Sequence, residues 1–179
     1  RLNAEYGDAS PAVMNVGISG NRILSHNAGL NILQGSNDGP EPNPNAGFGP
    51  SALSRFDRDV LLQPGVTHVL VLESINDIGM GFSGVSPTVE QLIAGHRSLI
   101  QRAHAAGLTI YGGTLTPFEG AFYFTPEGED KRRALNAWIR TGGVYDGFVD
   151  FDAAVRDPSD PTRFKPDYHV GDWLHPSDT

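Results

Sequence analysis

Apolar positions along the chain fall into two alternating patterns. Residues 66–72 (VTHVLVL) are a nearly continuous run of β-branched and leucine side chains. That is the pattern of a strand buried on both faces. Three shorter runs predict further strands, at 12–17 (AVMNVG), 108–113 (LTIYGG) and 147–151 (GFVDF). Between them the period becomes helical. Over 87–106, Val89, Leu92, Ile93, His96, Leu99, Ile100 and Ala103 recur at i, i+3, i+4 and i+7, one apolar stripe on a helix. Ser86 is its expected N-cap, with Pro87 at the first helical position and Gly107 after the last turn. A second helix is expected over 127–141, opened by Thr125-Pro126, with Leu135, Trp138 and Ile139 inward and Gly142-Gly143 beyond it. A third covers 51–62. Strand–helix alternation implies a parallel sheet with helices on both faces. Ligands of such sheets bind beyond the carboxyl ends of the strands. The residues that follow each strand therefore carry the functional reading.

Two segments lack periodicity. Residues 25–50 are rich in Gly, Asn and Pro, and 156–171 in Pro and Asp. The first is either a functional loop or a surface insertion. No internal repeat and no linker interrupts the chain, so residues 1–179 read as one domain. With 39% hydrophobic and 19% charged residues, the 179-residue chain has an ordinary globular balance that excludes long disorder. The net charge of −8, from 13 basic and 21 acidic residues, offers no basic face to nucleic acid or to an anionic membrane. The absence of cysteine excludes disulfides, Cys-ligated zinc, iron–sulfur clusters and thiol catalysis. It leaves the compartment open, secreted or cytoplasmic. No apolar stretch approaches the roughly 18 residues of a spanning helix, and no signal peptide is visible. The opening, Arg1-Leu2-Asn3-Ala4-Glu5-Tyr6, has no Met and reads as the end of a helix, so the chain is expected to be part of a longer product.

Three segments stand where strands end. They are Gly17-Ile18-Ser19-Gly20-Asn21-Arg22, Glu73-Ser74-Ile75-Asn76-Asp77-Ile78-Gly79 and, near the C-terminus, Gly171-Asp172-Trp173-Leu174-His175-Pro176. Singly, each has a plain structural reading: a Gly-Asn turn, an Asx cap, a chance Asp-x-x-His. Together, in this order, they resemble the blocks of the SGNH hydrolases, also called the GDSL esterase/lipase family. Gly20 matches the glycine of the second block. Asn76 matches the asparagine of the third, usually Gly-x-Asn-Asp, with Ser74 in place of the glycine. Asp172 and His175 match the last block. The resemblance runs from Pro11 to the end of the chain. It implies an α/β fold, three layers deep (α/β/α), around a flavodoxin-like parallel sheet. The family's first block, Gly-Asp-Ser, is missing, and with it the first strand. Gly7-Asp8-Ala9-Ser10 precedes a predicted strand instead of following one, which puts Ser10 at the opposite end of the sheet. The chain also stops at Thr179, where the family's last helix would run, so the domain is expected to be truncated at both ends. In the family the first strand is central. Its loss leaves edges to be filled by a missing N-terminal segment or a second copy, unless the sheet re-forms around the deletion.

Ester cleavage needs a nucleophile, a base and donors for the oxyanion. The resemblance makes His175 the base and Asp172 the group that holds its tautomer. Asn76 and the Gly20 backbone N–H become the oxyanion donors, each worth about 3 kcal/mol in the transition state. Ser19 and Ser74 are the possible substitute nucleophiles. Gly17-Ile18-Ser19-Gly20-Asn21 nearly spells a Gly-x-Ser-x-Gly elbow, and Ser74 sits beside the cleft. Their plain readings are a support for the Gly20 turn and a tolerated change. Trp173 is expected to line the substrate site. Phe122, Tyr123 and Phe124 form either a cleft wall or a satellite core. His169, near Asp167 and Asp172, is either a metal ligand or part of a solvated loop. No metal and no cofactor is required. His26, His68, His96 and His104 read as structural or exposed, and Asp57 and Arg58 as a solvated face. The reading is a serine ester hydrolase, similar to bacterial enzymes, that cleaves short-chain acyl or carbohydrate acetyl esters through an acyl-enzyme. Its rival is a catalytically inactive member that binds carbohydrate or a partner protein.

Overall fold

The 66–72 run forms strand β1 (His68–Val71), which pairs in parallel with β2 (Thr109–Gly113). β2 pairs in parallel with β3 (Gly147–Val149), giving the order β1-β2-β3. The computed structural model describes residues 11–26, 48–80 and 86–178, together with Glu5 and Gly7. Ser10 and most of the 25–50 loop lie outside the described residues.

Helix α1 (Ala52–Phe56) starts at Ser51, whose hydroxyl accepts from the Ser54 N–H, and runs on into a π-helical turn, Asp57–Leu61. α2 (Ile75–Gly79) follows β1 directly. α3 (Val89–Ala105) is the helix predicted over 87–106, with a different start. Its N-cap is Thr88. The Thr88 hydroxyl accepts from Gln91 N–H at 3.3 Å and the Gln91 side chain accepts from Thr88 N–H at 2.8 Å, a reciprocal capping box. Ser86 instead donates to the Ile78 carbonyl. Helix α4 (Pro126–Thr141) is capped by Thr125. β3 ends earlier than predicted because Asp150 caps a further helix, α5 (Phe151–Val155), which claims Phe151. A 3₁₀ turn, Pro166–Tyr168, precedes the C-terminal loop.

Successive strand residues face opposite sides of a sheet. A side chain at Gly112 would meet Ile139 of α4 and Tyr145, while one at Gly113 would meet Phe151 of α5. The core lies on the first side, where Leu92 and Leu99 of α3 and Leu135 and Ile139 of α4 are buried with Ile110. Each such side chain contributes roughly 1.5–3 kcal/mol. The result is an α/β/α arrangement with the carboxyl ends of all three strands at one edge.

The strand predicted at 12–17 does not form. Among the described residues this stretch pairs with no strand, and Val13 and Met14 are exposed. A groove of about 320 Å³ lies between it and β1, lined among others by Met14, Val16, Phe56, Val69, Val71 and Glu73. The reason is physical: a lone extended segment has no ladder to satisfy its backbone, whatever its side-chain pattern. Among the described residues β1 is therefore an edge strand with the composition of a central one, and Leu70 and Leu72 are about half exposed, at 51% and 48%. No helix among the described residues is long and apolar enough to cross a membrane.

Candidate active site

The turn from β1 into α2 is built on Ser74, whose φ is +99°. For a side-chain-bearing residue this left-handed conformation costs roughly 1–2 kcal/mol. Ser74 is fully buried, and its hydroxyl lies 3.0 Å from His96 Nε2 of α3. The other ring nitrogen of His96 lies 2.6 Å from the Tyr145 hydroxyl. Burial lowers the His96 pKa to about 4. The ring is therefore neutral, with one donor and one acceptor nitrogen to match its two hydroxyl partners. With no exposure, the Ser74 hydroxyl is a polar plug in the core, engaged by His96 and not by His175.

Three straps tie α2 to the segment that carries Gly20. The Asn76 amide donates to the Asn21 carbonyl at 3.1 Å. Asp77 accepts from Ile23 N–H at 2.8 Å and from Leu24 N–H at 3.1 Å. The Arg22 guanidinium donates to the Met80 carbonyl. Asn21 is itself held on all sides. Its amide donates to the carbonyls of Phe48 and Pro50, both at 2.8 Å, and its oxygen accepts from Arg55 Nε and Nη2. Gly20 has φ +73°, and a Cβ there would come within 2.3 Å of the Phe48 ring, so only glycine fits. Burial raises the Asp77 carboxyl to about 6, against the pull of the two backbone N–H groups and Arg22. Burial also raises Glu73 to about 7, opposed by Arg55 and reinforced by Asp77. Ser19, on the same turn, is exposed and makes no hydrogen bond to His175 among the described residues.

The last block lies on a loop closed on itself by the backbone. Val170 N–H donates to the His175 carbonyl and Ser177 N–H to the Tyr168 carbonyl, both at 3.1 Å. Asp172 Oδ1 accepts from the backbone N–H groups of Leu174 and His175, both at 3.0 Å, and Oδ2 lies 2.6 Å from His175 Nδ1. Partial burial pushes the Asp172 carboxyl up. The His175 ring and the two backbone N–H groups pull it further the other way, to about 2. The carboxylate so maintained favours a proton on Nδ1 and turns Nε2 outward on a side chain that is 60% exposed. His169 spends its Nδ1 on the N–H groups of Gly171 and Trp173, at 3.0 and 3.3 Å, and stacks on the Trp173 ring at 4.1 Å. It belongs to the loop's own scaffold, and among the described residues no group of three His, Asp or Glu is placed to hold a metal ion. Trp173 packs against Gly120 beneath the Arg163 guanidinium and so anchors the loop.

Tyr123 joins the two halves. Its hydroxyl donates to Asn76 Oδ1 at 3.3 Å. Burial raises its pKa well above the ordinary tyrosine value, and the charge of Asp172 adds to the shift. Asp172 and Asn76 thus both act on one phenol at the carboxyl edge of the sheet. The aromatic run divides: Phe122 is exposed, while Tyr123 and Phe124 pack on buried Phe118, at 6.0 and 5.1 Å between ring centres. Sequence reasoning placed Tyr123 in either a cleft wall or a satellite core, without a bond to Asn76, and did not single out the supports Asn21, Arg55 and Asp77 as site residues. Asp77 had a signal, a carboxylate beside Asn76 in a first helical turn. Tyr123 had none beyond its place in an aromatic run.

A profile of the GDSL-like Lipase/Acylhydrolase family matches residues 1–179. No protein with a curated description matches. Among solved structures, the chain is similar to proteins assigned as an acylhydrolase from Bacteroides fragilis NCTC 9343, a GDSL-like lipase from Bacteroides thetaiotaomicron VPI-5482 and a GDSL-like lipase from Parabacteroides merdae ATCC 43184. The first is 22% identical with a TM-score of 0.56, covering 70% of this chain and 60% of that one. The second is 22% identical with a TM-score of 0.57, covering 70% and 61%. The third is 22% identical with a TM-score of 0.60, covering 98% and 70%. The chain therefore spans about 60% of the length of the two Bacteroides proteins. At this identity the likeness is one of fold, the parallel α/β sheet with its helices.

Proposed function

The chain belongs to the GDSL-like lipase/acylhydrolase family, and we propose on that premise that it forms the base and oxyanion half of a serine ester hydrolase. The substrates are short-chain acyl or carbohydrate acetyl esters, and the nucleophilic serine comes from a Gly-Asp-Ser block N-terminal to Arg1. The serine oxygen attacks the acyl carbon while His175 Nε2 takes its proton. Asp172 holds the opposite Nδ1–H and stabilises the imidazolium. Asn76 and the Gly20 backbone are the donors to the developing oxyanion. His175 returns the proton to the leaving alkoxide, and water then cleaves the acyl-enzyme by the same route. The observation that carries this reading is the 2.6 Å Asp172–His175 contact, with Asn76 bonded to a phenol, Tyr123, that the Asp172 charge also reaches.

The rival, an inactive member that binds acetylated carbohydrate or a partner protein, is favoured by one observation: neither Ser19 nor Ser74 hydrogen-bonds to His175. Fluorophosphonate labelling of the full-length protein with peptide mapping, beside p-nitrophenyl acetate hydrolysis, separates the two. The proposal expects a labelled serine and losses of at least about 10²-fold in kcat for Asn76→Ala and His175→Ala. Hydrolysis that is unchanged in both variants sinks it. A protein with neither label nor turnover supports the rival.

A further inference from the structure

We infer that Tyr123 is a positioning residue for the Asn76 carboxamide, and that Gly79 exists to let it reach there. The inference rests on reading Asn76 as an oxyanion donor.

A carboxamide has two N–H groups and one oxygen, and it can be fixed only by partners that tell its ends apart. One Asn76 N–H is spent on the Asn21 carbonyl at 3.1 Å. The oxygen receives the Tyr123 hydroxyl at 3.3 Å. Held at both ends, the amide keeps its second N–H in a single direction. Turned over, it would set Oδ1 against the Asn21 carbonyl, acceptor facing acceptor. Without the phenol the carboxamide keeps one anchor and can swing about it. Tyr123 suits the task because burial and the Asp172 charge keep it protonated, hence a donor, at any working pH.

Its approach depends on Gly79, three residues after Asn76 on the same helix. The Tyr123 ring lies flat on this position: a Cβ at Gly79 would stand 2.3 Å from ring atom Cδ2 and 2.4 Å from Cε2. Any larger residue must push the ring away from the helix and so from Asn76. Sequence separation hides the arrangement, because Tyr123 is 47 residues from the amide it holds.

The test is a double-mutant cycle on the full-length protein, with p-nitrophenyl acetate as probe. Tyr123→Phe keeps the ring and removes only the hydroxyl. It is expected to lower kcat about three- to tenfold, the worth of one neutral hydrogen bond, with KM unchanged. In an Asn76→Ala background the same change is expected to cost nothing, and Gly79→Ala should reproduce the Tyr123→Phe loss. Equal losses in both backgrounds would assign Tyr123 a merely structural role and overturn the inference. So would no loss with Asn76 intact. The side-chain amide resonances of Asn76, identified by their disappearance in Asn76→Ala, give a readout independent of turnover. They are expected to shift in Tyr123→Phe and in Gly79→Ala, and unmoved resonances refute the contact. Shifted resonances in a protein whose Asn76→Ala variant hydrolyses ester at the wild-type rate overturn the donor reading and leave the Tyr123 contact standing.

Discussion

Ser74 holds a conformation made for glycine and keeps it because its hydroxyl is engaged. Two substitutions separate these effects. Ser74→Ala retains a Cβ at φ +99° and removes the hydroxyl, leaving His96 Nε2 buried without its 3.0 Å partner. An orphaned buried polar group costs roughly 1–3 kcal/mol. Ser74→Gly removes the same hydroxyl and also the left-handed strain of roughly 1–2 kcal/mol. The glycine's greater freedom in the unfolded chain cancels part of that gain, by about 0.5–1 kcal/mol. Ser74→Ala should therefore be less stable than the wild type by about 1–3 kcal/mol, and Ser74→Gly should recover somewhat under 1 kcal/mol of it. In a chain of this length 1 kcal/mol is about 2–4 °C in Tm. Urea unfolding of the three proteins at pH 7, with Tm measured alongside, resolves the order. A glycine variant no more stable than the alanine variant would refute the claim that Ser74 is strained. An alanine variant as stable as the wild type would refute the role of the Ser74–His96 bond.

Arg132 makes the second prediction. It is buried, with a two-pronged contact to Glu129 at 2.7 and 2.8 Å, a 2.7 Å contact to Asp152 and a 2.8 Å bond to the Leu115 carbonyl. Arg132→Ala leaves Glu129 buried without its partner and should cost about 3–5 kcal/mol, read as Tm; a loss under about 1 kcal/mol would contradict the picture of a buried ion cluster. Glu73 makes the third. Its folded pKa of about 7 lies above the ordinary 4.5, so the folded state binds the proton more tightly than the unfolded one. That contribution is complete below pH 4.5 and is lost as pH rises through 7. Glu73→Gln should therefore gain about 1–3 kcal/mol on the wild type between pH 4 and pH 8, by urea melts at each pH. A stability difference that does not change with pH would contradict the raised pKa.

What the sequence determined by itself is what depends on short range. The 66–72 run became β1, the seven-position stripe became α3, and Thr125-Pro126 opened α4, because period and capping are properties of neighbouring residues. The pairing of Asp172 with His175 was legible for the same reason, since three residues on one turn suffice to close it. Tertiary structure decided the rest. Residues 12–17 have a strand's pattern but, among the described residues, no neighbour to pair with. Thr88 took the cap from Ser86 because Gln91 could answer it and Ile78 claimed the serine. Ser74 is bonded in the core to a histidine 22 residues away, and Asn76 is held by Asn21 and Tyr123, 55 and 47 residues away. The sequence names the residues at each strand end, but no local pattern records which distant partner meets them there. Those contacts form only when separate segments close on one another, because a hydrogen bond acts across about 3 Å and not along the chain.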